Sequence, residues 1–137
     1  MSKTVLFVCV QNAGRSQMAE AFLNAMASQR GLNVRGVSAG TMGAGTLNPI
    51  AVQAMEEADI SMAEHYPKQL TPEMVKAADK IVSMGCGVDA AACPAKFIVT
   101  EDWGLDDPAG RPIERVRQIR DQIKSKVEAL LDREAES

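Results

Sequence analysis

Val5-Leu6-Phe7-Val8-Cys9-Val10 is an unbroken apolar run rich in β-branched side chains. A run without polar alternation predicts a strand covered on both faces. From Ser16 to about Gln29 the pattern changes: Met18, Ala19, Ala21, Phe22, Ala25 and Met26 recur at helical spacing, and Gly31 stands just beyond as a stop. Asn33 to Ser38 carries Val34 and Val37 and predicts a second strand, which runs into a glycine-rich bend over 39–45. Asn48-Pro49 and Thr71-Pro72 each set a capping side chain before a proline suited to the first helical position, predicting helices near 49–58 and 72–78. Lys80-Ile81-Val82-Ser83-Met84 and Lys96-Phe97-Ile98-Val99 predict two more buried strands. Ile113 to Asp132 is a long amphipathic helix with Ile113, Val116, Ile119, Ile123, Val127 and Leu130 on one stripe.

Strands alternating with helices predict an α/β fold with a four-stranded parallel sheet and right-handed crossovers. The expected order is 2-1-3-4, in three layers α/β/α, with ligands bound beyond the carboxyl ends of the strands. Composition narrows this only a little. A length of 137 residues fits one domain, 1–137, and 46% apolar with 24% charged residues is ordinary globular usage, which excludes disorder and disulfide-dense scaffolds. The net charge of -3, without a long basic run, shows no nucleic-acid footprint. No stretch approaches membrane-span length, and the first apolar run lacks a cleavage pattern. A cytoplasmic chain is therefore expected, its three cysteines held as thiols for catalysis, redox chemistry or metal binding. Small size and the polar face of the last helix point to a monomer.

The first strand leads straight into Cys9-Val10-Gln11-Asn12-Ala13-Gly14-Arg15-Ser16 and then a helix. A loop of small residues entering a helix N-terminus turns backbone N–H groups inward, forming a nest for a tetrahedral oxyanion. Val10, Gln11, Asn12, Ala13, Gly14, Arg15 and Ser16 are its expected lining. Arg15 adds a charged fork that matches two oxyanion oxygens. A thiol in such a field can have its pKa lowered from about 8.5 to roughly 3.5–7.5, so Cys9 is the candidate nucleophile. Ser16 can donate to its sulfur, Asn12 can take a left-handed backbone angle, and Gly14 permits close approach of the anion.

Cys86 follows the third strand by two residues. If the first and third strands are neighbours, Cys9 and Cys86 share a sheet edge at a separation of about 4.8 Å between strands, compatible with a disulfide. Cys93 lies seven positions further on, and two helical turns would hold it about 10 Å from Cys86, so bridging those two needs the segment to unwind. In Glu101-Asp102-Trp103-Gly104-Leu105-Asp106-Asp107-Pro108, read as the loop after the fourth strand, Asp107 is the candidate general acid because Pro108 holds it extended. Trp103 reads as a packing anchor and His65 as a surface residue.

Together the loop with Gln17-Met18-Ala19-Glu20, Val37-Ser38-Ala39-Gly40, Asn48-Pro49, Cys86 and Cys93 followed by Pro94, and Trp103 to Gly110 resemble the thioredoxin-coupled arsenate reductases built on the low-molecular-weight tyrosine phosphatase fold. The resemblance covers about residues 4–131. It implies a sulfur relay: Cys9 attacks arsenate, Asp107 protonates the leaving oxygen, Cys86 and then Cys93 carry the oxidation outward, and a thioredoxin-like partner reduces the final disulfide. No metal or other cofactor is implied. The loop departs from the family pattern at Val10, Gln11 and Gly14, and Ala109-Gly110 stand where phosphatases typically carry aromatic residues. In some relatives a potassium ion supports the loop. Glu20 and Ser38 match that pattern, but Lys68 falls where a carboxylate would lie, so its ammonium is expected to replace the ion.

The alternative enzyme is a phosphatase acting on aryl phosphates through the same loop and Asp107. A structural zinc site from Cys9, Cys86, Cys93 and His65 lacks any short ligand pair, so no metal is expected. An arsenite-binding sensor without turnover is the remaining reading.

Overall fold

The computed structural model describes residues 3–43, 45–84, 101–106 and 108–136. Strand β1 (Lys3–Cys9) is flanked by β2 (Val34–Gly40) and β3 (Lys80–Ser83), and β4 (Glu101–Asp102) lies beyond β3. Every neighbouring pair is parallel and the order is β2-β1-β3-β4, as the alternation of elements predicts. The register sets Cys9 opposite Gly40 on one side and Val8 opposite Ser83 on the other. The helices are α1 (Arg15–Arg30), α2 (Pro49–Glu57), α3 (Pro72–Ala77) and α4 (Ile113–Glu136).

The unalternating run in β1 is explained by apolar cover on both faces. Phe7 and Cys9 face one core with Met18 and Phe22 of α1, Met55 of α2, and Ile119 and Ile123 of α4. Leu6 and Val8 face the other with Ala39, Ile81 and Leu70, closed by Met74 and Val75 of α3. Burying each large side chain contributes about 1.5–3 kcal/mol. Trp103 is the anchor its position suggested: it is buried, and its ring meets Phe7 with centroids 5.5 Å apart.

The capping signals act as written in the sequence. Asn48 Oδ1 accepts from Ile50 N at 2.9 Å, and Thr71 Oγ1 accepts from Met74 N at 3.3 Å. Gly31 closes α1 in the left-handed region, with φ 67°.

Most boundaries move by a residue or two, and three of the differences have a cause in distant contacts. Ala39 and Gly40 remain in β2 because they pair with Val8 and Cys9, so the bend begins after them. Helix α4 continues past Asp132 to Glu136, where Glu134 meets Lys3 at 2.8 Å and Arg133 meets Glu101 at 3.2 Å. Glu101 and Asp102 are strand residues paired with Val82 and Ser83, not loop residues. The strand expected over Lys96–Val99 lies outside the described residues.

Among the described residues no helix is long and apolar enough to cross a membrane. Because the sheet is parallel, β1, β2 and β3 all end at one edge, and the loops that follow them start there.

Candidate active site

Cys9 is the last residue of β1 and is 3% exposed. The chain then turns back through 10–14 into α1. That reversal needs a positive φ at Asn12, which adopts 58°, a region open to asparagine at modest cost. The turn brings Asn12 N to 3.2 Å from Cys9 Sγ as a donor. Ser16, on the first turn of α1, lies 2.8 Å from the same sulfur. Its Oγ accepts from Asn12 Nδ2 at 2.7 Å, which leaves the hydroxyl proton to be donated to sulfur. Two donors thus converge on one atom, the arrangement that holds an anionic sulfur.

The loop is supported from behind by β2 and the chain after it. Thr41 N donates to Cys9 O at 3.0 Å and Met42 N to Val10 O at 2.7 Å. A Cβ on Gly40 would stand 2.4 Å from Val10 O and 2.9 Å from Asn12 N, so only glycine lets the strand end approach so closely. On the opposite side Asn48 N donates to Ala13 O at 2.8 Å.

In front of the loop is a cleft of about 440 Å³. Its floor is Cys9, Val10, Gln11, Ala13, Gly14 and Arg15, and its walls are 46–49 and 108–110. Arg15 is buried, and its Nη1 donates to Leu105 O at 2.9 Å and Met84 O at 3.4 Å, so the guanidinium is seated between the end of β3 and the chain after β4. Gly14 caps α1 without a side-chain hydrogen bond, and a Cβ there would lie 2.8 Å from Pro108 Cγ. A bare N-cap turned toward a cleft with an arginine beside it is suited to a tetrahedral anion.

The expected anion lining divides in two. Val10, Gln11, Ala13, Gly14 and Arg15 line the cleft; Asn12 and Ser16 are fully buried behind it, where their side chains hold the sulfur and each other. Behind them lie Glu20, Ser38 and Lys68. Ser38 Oγ donates to Glu20 Oε1 at 2.9 Å, and Lys68 Nζ is 3.7 Å from the same oxygen. Lys68 N also donates to Asn12 Oδ1 at 2.9 Å. This donor set carries its own ammonium, so it does not fit a bound potassium ion.

Cys86, Cys93 and Asp107 lie outside the described residues. Among the described residues no group of three or more His, Cys, Asp or Glu side chains could hold a metal ion.

Sequence reading assigned no site role to Thr46, Leu47, Ala109 or Gly110, which line the cleft. His65 is only partly at the surface: its side chain is 18% exposed and its Nδ1 is 3.2 Å from Glu20 Oε2. No local signal marks it, because its partners are far away in the chain.

The model of the family described as low molecular weight phosphotyrosine protein phosphatase matches residues 4–137. The chain belongs to that family. It is 35% identical over 133 residues to arsenate reductase 1 of Staphylococcus epidermidis, covering 96% of this chain and 97% of the relative. A solved arsenate reductase in its phosphate-binding state superposes with a TM-score of 0.81 at 32% identity, over 96% of this chain and 98% of that one. The arginine phosphatase YwlE, solved as a cysteine-to-serine mutant with a phosphorylated active-site serine, gives 0.82 at 28% identity over 95% and 94%. The proteins this chain is similar to therefore include both a reductase and a phosphatase.

Proposed function

We propose that the protein is an arsenate reductase working through a three-thiol relay. The observation that carries the reading is the sulfur of Cys9 at the floor of the cleft, held by donors from Ser16 and Asn12 and sharing that floor with Arg15. Kinship to arsenate reductases of similar length supports the choice of substrate.

The cleft receives arsenate, a tetrahedral oxyanion, on the 10–15 backbone and the Arg15 guanidinium. Cys9 attacks arsenic, an S–As bond forms, and an As–O bond breaks as Asp107 protonates the leaving oxygen, which departs as water. Cys86 then attacks the Cys9 sulfur. The S–S bond forms as the S–As pair passes to arsenic, so arsenic(V) becomes arsenic(III) and two thiols become one disulfide. Arsenite leaves. Cys93 attacks Cys86, freeing Cys9 and leaving a Cys86–Cys93 disulfide, which a thioredoxin-like dithiol reduces by exchange.

Topology supports the second step. β1 and β3 are parallel neighbours, Met84 N donates to Val8 O at 3.0 Å, and Cys86 follows Met84 by two residues. The reading also takes the chain to be a cytoplasmic monomer that needs no metal or other cofactor.

A phosphatase is the second reading, favoured by the family and by the phosphorylated serine of its structural relative. The test is arsenite production over many cycles with thioredoxin, thioredoxin reductase and NADPH, set against a glutaredoxin system. Sustained turnover is expected with thioredoxin. Cys86→Ser and Cys93→Ser should each stop that turnover while leaving hydrolysis of p-nitrophenyl phosphate intact. Arsenate reduction absent with both donors, beside brisk ester hydrolysis, would establish the phosphatase instead.

A further inference from the structure

Arg15 is the cation at the floor of the cleft, and part of what seats it lies outside the anion loop. Its Nη1 donates to the carbonyl oxygen of Leu105 at 2.9 Å and to that of Met84 at 3.4 Å. The Leu105 carbonyl belongs to the peptide that joins Leu105 to Asp106. On its N-terminal side that peptide is anchored, because Leu105 is buried and its N donates to Met84 O at 2.9 Å. Gly104, just before it, has φ 57°, a left-handed angle that glycine adopts without steric cost. On its C-terminal side the Asp106 carboxylate pairs with the Arg115 guanidinium.

Arg115 stands on the first turn of α4 and is itself braced: its Nη1 donates to Gln118 Oε1 at 2.8 Å, and its main-chain N donates to Pro112 O at 3.0 Å. A peptide plane can turn about the φ and ψ on either side of it while the rest of the chain stays in place. Tying the Asp106 side chain to a helix restricts that turn. A guanidinium that must meet two oxyanion oxygens at once depends on the plane in which it is held. The Asp106 and Arg115 side chains are 59% and 30% exposed, so a contact near the surface governs a cation that is buried.

We propose that Arg115 is a positioning residue for the anion site: through Asp106 it fixes the Leu105–Asp106 peptide, and the carbonyl of that peptide holds the Arg15 guanidinium in the plane that receives the oxyanion. This rests on the cleft being an oxyanion site, as proposed above, but not on whether the bound anion is reduced or hydrolysed. Two other roles compete. A purely structural clasp between α4 and the chain after β4 would change melting temperature alone. A field effect would make any positive charge near the cleft favourable to an anion and any negative charge unfavourable, whatever its partner.

The test is titration of the full chain with inorganic phosphate, followed by NMR through the backbone amides of residues 10–15. Arg115→Ala should weaken phosphate binding by about three- to fivefold, the scale of one surface ion pair. Asp106→Asn separates the roles: removing a negative charge tightens binding if only the field matters, whereas losing the pair should weaken it as Arg115→Ala does. The double variant should bind no more weakly than either single one. Arg115→Lys keeps a charged donor and should restore most of the affinity. Arg117→Ala breaks a different α4 pair, with Glu57 at the end of α2 remote from the cleft, and should lower Tm without changing phosphate affinity. In the anion-free protein the Arg15 guanidinium should give a resolved nitrogen signal that broadens in Arg115→Ala and Asp106→Asn, because a looser seat lets the group rotate. Unchanged affinity in Arg115→Ala, tighter binding in Asp106→Asn, additive losses, no recovery with lysine, or an Arg15 signal identical in every variant would each overturn the proposal. A wild-type chain that binds no phosphate would sink the oxyanion reading instead, and the Arg15 signal, measured without anion, would still decide this one.

Discussion

Gly40→Ala tests whether the strand behind the anion loop sets its shape. The added Cβ would lie 2.4 Å from Val10 O, 2.9 Å from Asn12 N and 2.9 Å from Gln11 C. Ordinary contact begins at 3.4 Å, so either the strand end or the loop must retreat by about 1 Å. The strand end is the better anchored of the two. Gly40 N donates to Lys68 O at 2.8 Å and Leu70 N to Gly40 O at 2.9 Å, while Thr41 N donates to Cys9 O at 3.0 Å. The loop is therefore expected to yield. Overpacking of this kind costs roughly 1–3 kcal/mol, which lowers Tm by about 3–12 °C in a chain of this size. A displacement near 1 Å in a reacting site can cost about 10²-fold in rate, so activity should fall far more than stability. The assay is kcat/KM for arsenate reduction, with Tm measured in parallel. Gly31→Ala is the control. That glycine has φ 67°, and a Cβ there would meet no atom within 4 Å, so the substitution should lower Tm with little loss of rate. A folded Gly40→Ala protein with wild-type kcat/KM would refute the reasoning.

Ser16→Ala removes the hydroxyl 2.8 Å from Cys9 Sγ and should lower kcat/KM by about 10–100-fold, the worth of one hydrogen bond to a charged group; unchanged rates would show that the sulfur does not depend on it. Rates measured in potassium chloride and in sodium chloride at equal ionic strength should agree, because the Lys68 ammonium 3.7 Å from Glu20 Oε1 already sets a positive charge beside that carboxylate; clear stimulation by potassium would contradict this. Burial raises the Glu101 carboxyl, but the Trp103 indole N–H and the Arg133 guanidinium outweigh it and hold the group below the ordinary glutamate value. A carboxyl depressed in the folded state contributes stability above its unfolded pKa and loses it as pH falls through the folded one. Glu101→Gln should therefore lower Tm at pH 7, and the gap should close in acid; a gap independent of pH would show that the pairing contributes nothing.

The parts of the fold that local pattern controls were legible. β1 announces burial on both faces, Asn48-Pro49 and Thr71-Pro72 announce helix starts, and the run from Cys9 to Ser16 announces a nest for an anion. Boundaries fixed by distant partners were not: Ala39 and Gly40 look like a bend until Val8 and Cys9 pair with them, and α4 reaches Glu136 where its last turn meets Lys3 and Glu101. The division of the loop into lining and support escaped for the same reason, since burial of Asn12 and Ser16 depends on what packs behind them. His65 shows this most plainly. Its polar neighbours in sequence suggest solvent, yet its partner Gln17 is 48 positions away, and only the folded chain joins them.

Placing the thiol on the last rung of the central strand ties its fate to that of the whole molecule. Fraying at an edge or a terminus leaves β1 clamped between two neighbours as far as Val8, so amides of its inner rungs, Leu6 and Phe7, should exchange with solvent chiefly through global opening. The Cys9 sulfur is thus carried by an inner strand of the sheet, and heat or denaturant should abolish activity and structure in a single transition.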